Sequence, residues 1–161
     1  MDIKLYNIDN RYIDYLSPHA PHLFYNKKPG QQNERKFIGV ILQVNGLNYF
    51  APLSSFKPKH QNMSDMIDFI KVKNYAVINL NNMFPVPKEE CYFVDIQKEQ
   101  DLQYRSLLRA EYRYIKSIQD KIRKNALNVY NHKIIKGNST GLAKRCNDFL
   151  LLEKLCKEYN K

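Results

Sequence analysis

Two adjacent hydroxyls, Ser54 and Ser55, close an apolar run, FAPL, and Lys57, Lys59 and His60 follow within six residues of the first serine. Each type brings a distinct capacity. Hydroxyls donate hydrogen bonds to phosphate oxygens, and ammonium groups stabilise the negative charge that gathers on a pentacoordinate phosphorus. An imidazole moves protons near neutral pH. Cleaving RNA without a metal needs little else. The 2′-hydroxyl must lose a proton, the phosphorane must be stabilised, and the departing 5′-oxygen must be protonated. The same residues also describe an ordinary Ser-Ser turn with solvated lysines and a surface histidine. Residue types alone leave both readings open.

Other groups could join such a site. Arg105, Arg109, Arg113 and Lys116 recur at three- and four-residue spacing and would line up along a helix. A stripe like this is commonly a solvated helix face. Like charges in a row repel one another, however, which suits arriving phosphates. Lys27, Lys28, Arg35 and Lys36 bracket a proline-bearing loop, and its Phe24 and Tyr25 offer rings either for stacking unpaired bases or for anchoring the loop. Tyr12, in RYIDYL, is a phenol that could donate to phosphate or one more core aromatic. The acids are scattered. Asp65 and Asp68 are the nearest thing to a carboxylate pair, without a further acid or histidine at a useful spacing, so neither metal nor cofactor is expected. Glycine-rich phosphate loops and H-E-x-x-H are also missing.

The elements that must position these groups are legible in outline. IKLYNI at 3–8 reads as a short strand, and Asp9 stands as a helix N-cap before NRYIDYL. From residue 17 to residue 35, three prolines and a glycine dissolve the pattern into a long loop. FIGVILQV (37–44) and LNYFAPL (47–53) flank Asn45-Gly46, the strongest short signal for a type I′ hairpin. YAVINL (75–80) and CYFVDI (91–96) read as two more strands. After Gln100, Tyr104, Leu107, Leu108, Tyr112, Ile115, Ile118 and Ile122 trace one face of a long helix, which runs on to a break at GNSTG, 137–141. A last helix, DFLLLEKLCKEYN, takes Asn147 as its cap. Strands first and helices later predict an α+β domain.

Composition sets the outer bounds. At 161 residues the chain is read as a single domain, 1–161, and 43% hydrophobic residues argue for a globular fold. Lysines and arginines outnumber acids 26 to 16, and the formal net charge of +10 makes a field that attracts polyanions, nucleic acid above all. No stretch approaches the ~20 consecutive apolar residues of a membrane helix, and the charged N-terminus lacks a signal-peptide core. Cys91, Cys146 and Cys156 show no zinc spacing and read as reduced thiols of a cytoplasmic protein, with Cys91 and Cys156 in the core.

Taken in order, NRYIDYL, KFIGVILQVNGLNYFAPLSSFKPKH, VINLNNMFPVP, YRSLLRAEYRYIKS and CNDFLLLE resemble the toxin endoribonucleases of bacterial type III toxin–antitoxin and abortive-infection systems, the ToxN/AbiQ/CptN group. The segments YFAPLSS-x-K and INL-x-x-M-x-PVP are the specific part of that match. The resemblance implies a compact, strongly bent antiparallel β-sheet, barrel-like and similar to MazF-type toxins, with peripheral helices. It implies metal-independent RNA cleavage leaving 2′,3′-cyclic phosphate and 5′-hydroxyl ends. The implied inhibitor is an RNA of tandem pseudoknot repeats, which the toxin cuts from a precursor and joins in a closed complex of alternating protein chains and RNA repeats. Carried over by residue, the family's key serine falls on Ser55, the preceding hydroxyl on Ser54, the following lysine on Lys57 and the early tyrosine on Tyr12. In this reading Ser55 lies nearest the scissile phosphate, Lys57 stabilises the phosphorane, and Tyr12 and Ser54 hold phosphate oxygens. Lys27, Lys28, Arg35, Lys36, Lys59, His60, Arg109, Arg113 and Lys116 are the candidate RNA-binding groups on charge and position. No general base stands out. Two other readings stay open: a non-catalytic RNA-binding module, and a MazF-like ribonuclease restrained by a protein.

Overall fold

β-Branched and aromatic residues dominate the strands, and seven of these strands form one antiparallel sheet in the computed structural model, which describes residues 2–21, 23 and 33–159. They are β1 (Lys4–Ile8), β2 (Lys36–Val44), β3 (Leu47–Ser55), β4 (Phe69–Val72), β5 (Ala76–Asn79), β6 (Phe84–Pro85) and β7 (Cys91–Phe93). The order is β4-β5-β3-β2-β1-β7, so the sheet is open, with β4 and β7 at its edges. A barrel-like sheet was expected; this antiparallel sheet is not closed into a barrel. β3 is the junction of the sheet: β2 pairs along one side, while the other side pairs first with β6 at Tyr49 and Phe50, then with β5 from Leu53 to Ser55.

The β2–β3 hairpin turns at Asn45 (φ 54°) and Gly46 (φ 78°), both left-handed as a type I′ turn requires. Alternation along the strands then splits the core in two. Ile38, Tyr49, Ala51 and Leu53 join one cluster with Leu108, Ile115 and Ile122, while Phe37 and Phe50 join another with Tyr12, Leu16 and Leu152. Both faces of the sheet are covered, which is why β2 and β3 read as almost continuous apolar runs.

The helices are α1 (Asn10–Leu16), α2 (Leu102–Ser117), α3 (Gln119–Lys136), α4 (Gly141–Arg145) and α5 (Phe149–Glu158). Asp9 caps α1 as expected, accepting the Arg11 N–H at 2.8 Å. The long helix expected after Gln100 breaks at Ile118 (φ −116°, ψ 18°), giving α2 and α3. The Ser117 hydroxyl donates to the Tyr114 carbonyl at 2.6 Å there, a local bond that competes with helix continuation. α5 is capped by Asp148, whose carboxylate accepts the Leu151 N–H at 3.3 Å. Asn147, expected as that cap, is buried and donates to the Met83 carbonyl instead. Cys146 and Cys156 are buried, whereas Cys91 is half-exposed. Among the described residues no helix is long and apolar enough to cross a membrane.

Candidate RNA-cleaving site

β3 ends in Ser54 and Ser55, which pair in register with Val77 and Ala76 of β5 and so stand at the rim of the sheet. Beyond them Pro58–His60 forms a single 3-10 turn. It is closed from both sides: the His60 N–H donates to the Lys57 carbonyl, and the Lys57 N–H donates to His60 Nδ1, each at 2.8 Å. Pro58 suits this turn because it has no N–H to leave unpaired. The β3 rim, this turn, the chain entering β2 and the inner face of α2 surround a cleft of about 580 Å³. Ser54, Ser55, Arg35, Lys36, Lys57, Lys59 and His60 all border it, so most of the expected groups converge.

The hydroxyl of Ser54 is oriented by two donors, Arg35 Nη1 at 3.0 Å and Asn79 Nδ2 at 3.4 Å. With both of those hydrogens pointing at its oxygen, its own proton is left to donate outward. Arg35 also donates to the Leu53 carbonyl at 3.3 Å, which ties the guanidinium to the strand end. Burial depresses the Arg35 pKa, and that of Lys36 as well. Lys36 Nζ lies 5.5 Å from the centre of the Tyr104 ring. An anion entering would meet cations already stripped of much of their water.

His60 differs from expectation in one respect. Its Nδ1 accepts an amide hydrogen, so the ring is neutral with its proton on Nε2. Burial, then the charges of Lys59, Lys57 and Lys71, push its pKa below the usual histidine value. Phe56 and Phe69 flank the ring, each at 5.6 Å. It borders the cleft as a neutral group that fixes the backbone of Lys57.

Tyr12 is not at this site. Its side chain is 0% exposed in the core between α1 and α5, and its hydroxyl donates to the Pro85 carbonyl at 2.6 Å. The expected contact with a phosphate oxygen is corrected accordingly, because the hydroxyl is buried and already engaged. Arg109 and Arg113 are exposed and do not line the cleft, and Lys116 lies 3.4 Å from Asp2. Lys27 and Lys28 fall outside the described residues. Asp65 and Asp68 face other partners, Lys121 at 2.8 Å and Arg145 at 3.1 Å.

Among the cleft residues that escaped the sequence reading are Asn79, Tyr104 as a wall, and Glu111. Glu111 is only 5% exposed, and burial pushes its carboxyl up to about 7 while the Lys36 ammonium pulls the other way. Its signal was present, since Glu111 is a lone acid in register with Tyr104, Leu108 and Ile115 on the inward face of α2. A second hollow, lined by Phe56 and Tyr114, holds Lys71, with Nζ 5.8 Å from the Phe56 ring, and Lys73, with Nζ 5.6 Å from the Tyr114 ring.

Comparison with known proteins agrees with this picture. Residues 4–157 match the family described as toxin ToxN of type III toxin–antitoxin systems. The chain is 32% identical to the endoribonuclease ToxN of Bacillus thuringiensis subsp. kurstaki, over 97% of this chain and 84% of the relative. It is 27% identical to the endoribonuclease AbiQ of Lactococcus lactis subsp. lactis, over 100% of this chain and 91% of that one. Among solved structures, one from work on selective toxin inhibition by a non-coding RNA pseudoknot superposes with a TM-score of 0.85 at 29% identity, covering 99% of this chain and 98% of the other. Another, from work on a processed non-coding RNA that regulates a bacterial antiviral system, gives 0.87 at 28% identity over 98% and 99%.

Proposed function

The chain belongs to the ToxN family of type III toxin–antitoxin toxins, and we propose that it is an endoribonuclease held in check by a folded, repeat-derived RNA. Cleavage is by attack of a 2′-hydroxyl on its own 3′-phosphate, leaving a 2′,3′-cyclic phosphate and a 5′-hydroxyl, without a metal. The observation that carries this reading is the meeting of Ser54, Ser55 and Lys57 with Arg35 and Lys36 in one cleft. Ser55 stands next to the scissile phosphate. Ser54, oriented by Arg35 and Asn79, donates to a phosphate oxygen. Lys57, its backbone fixed by His60, meets the charge that grows on the phosphorane. Much of the acceleration in such a site comes from holding the reacting atoms in line.

Arg109 and Arg113 form a separate basic face that serves the inhibitory RNA, and the Phe56 and Tyr114 rings offer stacking surfaces next to the cleft. Toxin and RNA repeats alternate in a closed cytoplasmic complex, and the toxin cuts its own inhibitor from a precursor. The test is to incubate purified protein with mixed RNA in EDTA and analyse the product ends. Cyclic phosphate ends are expected. Intact RNA bound to folded protein would instead make the cleft a phosphate clamp.

A further inference from the structure

Glu111 differs from the two carboxylates more deeply buried than itself. Asp68, 2% exposed, is gripped by two guanidinium nitrogens of Arg145, at 3.1 and 3.2 Å. Glu153, 4% exposed, accepts from the Tyr49 and Tyr130 hydroxyls at 2.6 and 2.7 Å and from Asn45 at 3.0 Å. Glu111, 5% exposed, has no hydrogen-bond donor among the described residues, although it borders the cleft. Partial burial of a carboxylate that no guanidinium or hydroxyl of the described residues holds disfavours its charged form. It occupies an inward position on α2 where leucine or isoleucine would pack at no such cost.

We propose that Glu111 is the general base of this cleft, the group whose carboxylate accepts the proton of the attacking 2′-hydroxyl. The proposal rests on the ribonuclease reading given above and supplies the base that reading lacks. In the step, the O2′–phosphorus bond forms as the proton passes to a Glu111 carboxylate oxygen. The phosphorus–O5′ bond breaks, and the 5′-oxygen takes a proton from water. Glu111 then returns its proton to the hydroxide left behind, so the products differ from the substrate only by the rearranged ester.

The surroundings suit that role. Lys36, from β2, faces Glu111 and favours its ionised form, while burial opposes ionisation more strongly, which leaves the carboxyl titrating near neutrality. Arg35 and Glu34 border the cleft beside Lys36. Lys57, Lys59 and His60 stand on the β3 side, and Tyr75 and Tyr104 complete the titratable groups lining it. A bound phosphate adds negative charge and raises the proton affinity of the carboxylate further. A base of this strength is well matched to work near pH 7.

The test is single-turnover cleavage, in EDTA, of a short RNA containing one cut site, from about pH 5 to about pH 9. For wild type the rate should climb with pH and level off at or above neutrality. Glu111→Gln should be slower by about 100-fold or more at pH 7 and lose the plateau. It should still bind the same RNA carrying a 2′-deoxy sugar at the cut with near wild-type affinity. A substrate with sulfur at the 5′ position of the leaving group needs no proton on departure, so its cleavage should stay impaired in Glu111→Gln. Should Glu111→Gln misfold, Glu111→Asp serves, with a lower rate and the plateau kept. Retention of the wild-type rate and profile in Glu111→Gln would overturn the proposal, as would rescue by the sulfur substrate or a loss explained by binding. Absence of cleavage by wild type itself would remove the ribonuclease reading, and this proposal with it.

Discussion

Ser54, Ser55, Lys57, Lys59 and His60 come from one continuous stretch, so their meeting could be read from the chain alone. Asn79 and Glu111 reach the same cleft from β5 and α2, and only the pairing of Ser54 with Val77 and the packing of α2 bring them in. Tyr12 was misplaced because a tyrosine one turn into a helix has no sequence mark that separates a core phenol from an exposed one. His60→Ala removes the acceptor of the Lys57 amide and should cost about 1–3 kcal/mol in urea unfolding, with slower RNA cleavage. Glu111 gives a pH dependence of stability whose sign follows from its raised carboxyl. The folded protein binds that proton more tightly than the unfolded chain, so stability from this group is full below about 4.5 and is lost as pH rises toward about 7. The loss is on the order of 3 kcal/mol. Urea unfolding at pH 5 and pH 8 should show that decline in wild type and a flatter profile in Glu111→Gln.

Elements were legible wherever local chemistry decides them. Asn45-Gly46 makes its turn because both positions adopt positive φ, and Asp9 caps α1 through a bond two residues away. β4 and β6, four and two residues long, were missed. The break at Ile118 was hidden because apolar spacing continues in phase across it, from Ile115 through Ile118 to Ile122. Gly39 is the sharpest case. It sits where the β2–β3 register shifts, and a Cβ there would overlap the buried Phe50 ring. Gly39→Ala should therefore cost about 1–3 kcal/mol or more through overpacking, read as a fall in melting temperature.

Charge and fold class were visible at the scale of the whole molecule, whereas sheet closure was not, since closure depends on how far strands at the two ends of the order are separated. The net charge of +10 predicts RNA affinity that falls steeply with salt. Because Arg109 and Arg113 lie outside the cleft, replacing both by alanine should weaken capture of the inhibitory RNA and flatten its salt dependence, while leaving cleavage of a short RNA close to wild type. Competition binding at several salt concentrations, alongside a cleavage assay, separates the two effects.

The most direct measurement compares wild type with Ser55→Ala on the same RNA in EDTA, with chemical analysis of the product ends. Wild type should produce 2′,3′-cyclic phosphate and 5′-hydroxyl ends, and Ser55→Ala should produce almost none while binding the RNA as before. Equal cleavage by the two proteins, or 3′-hydroxyl ends from wild type, would contradict both the placement of the reaction at Ser55 and the 2′-hydroxyl chemistry.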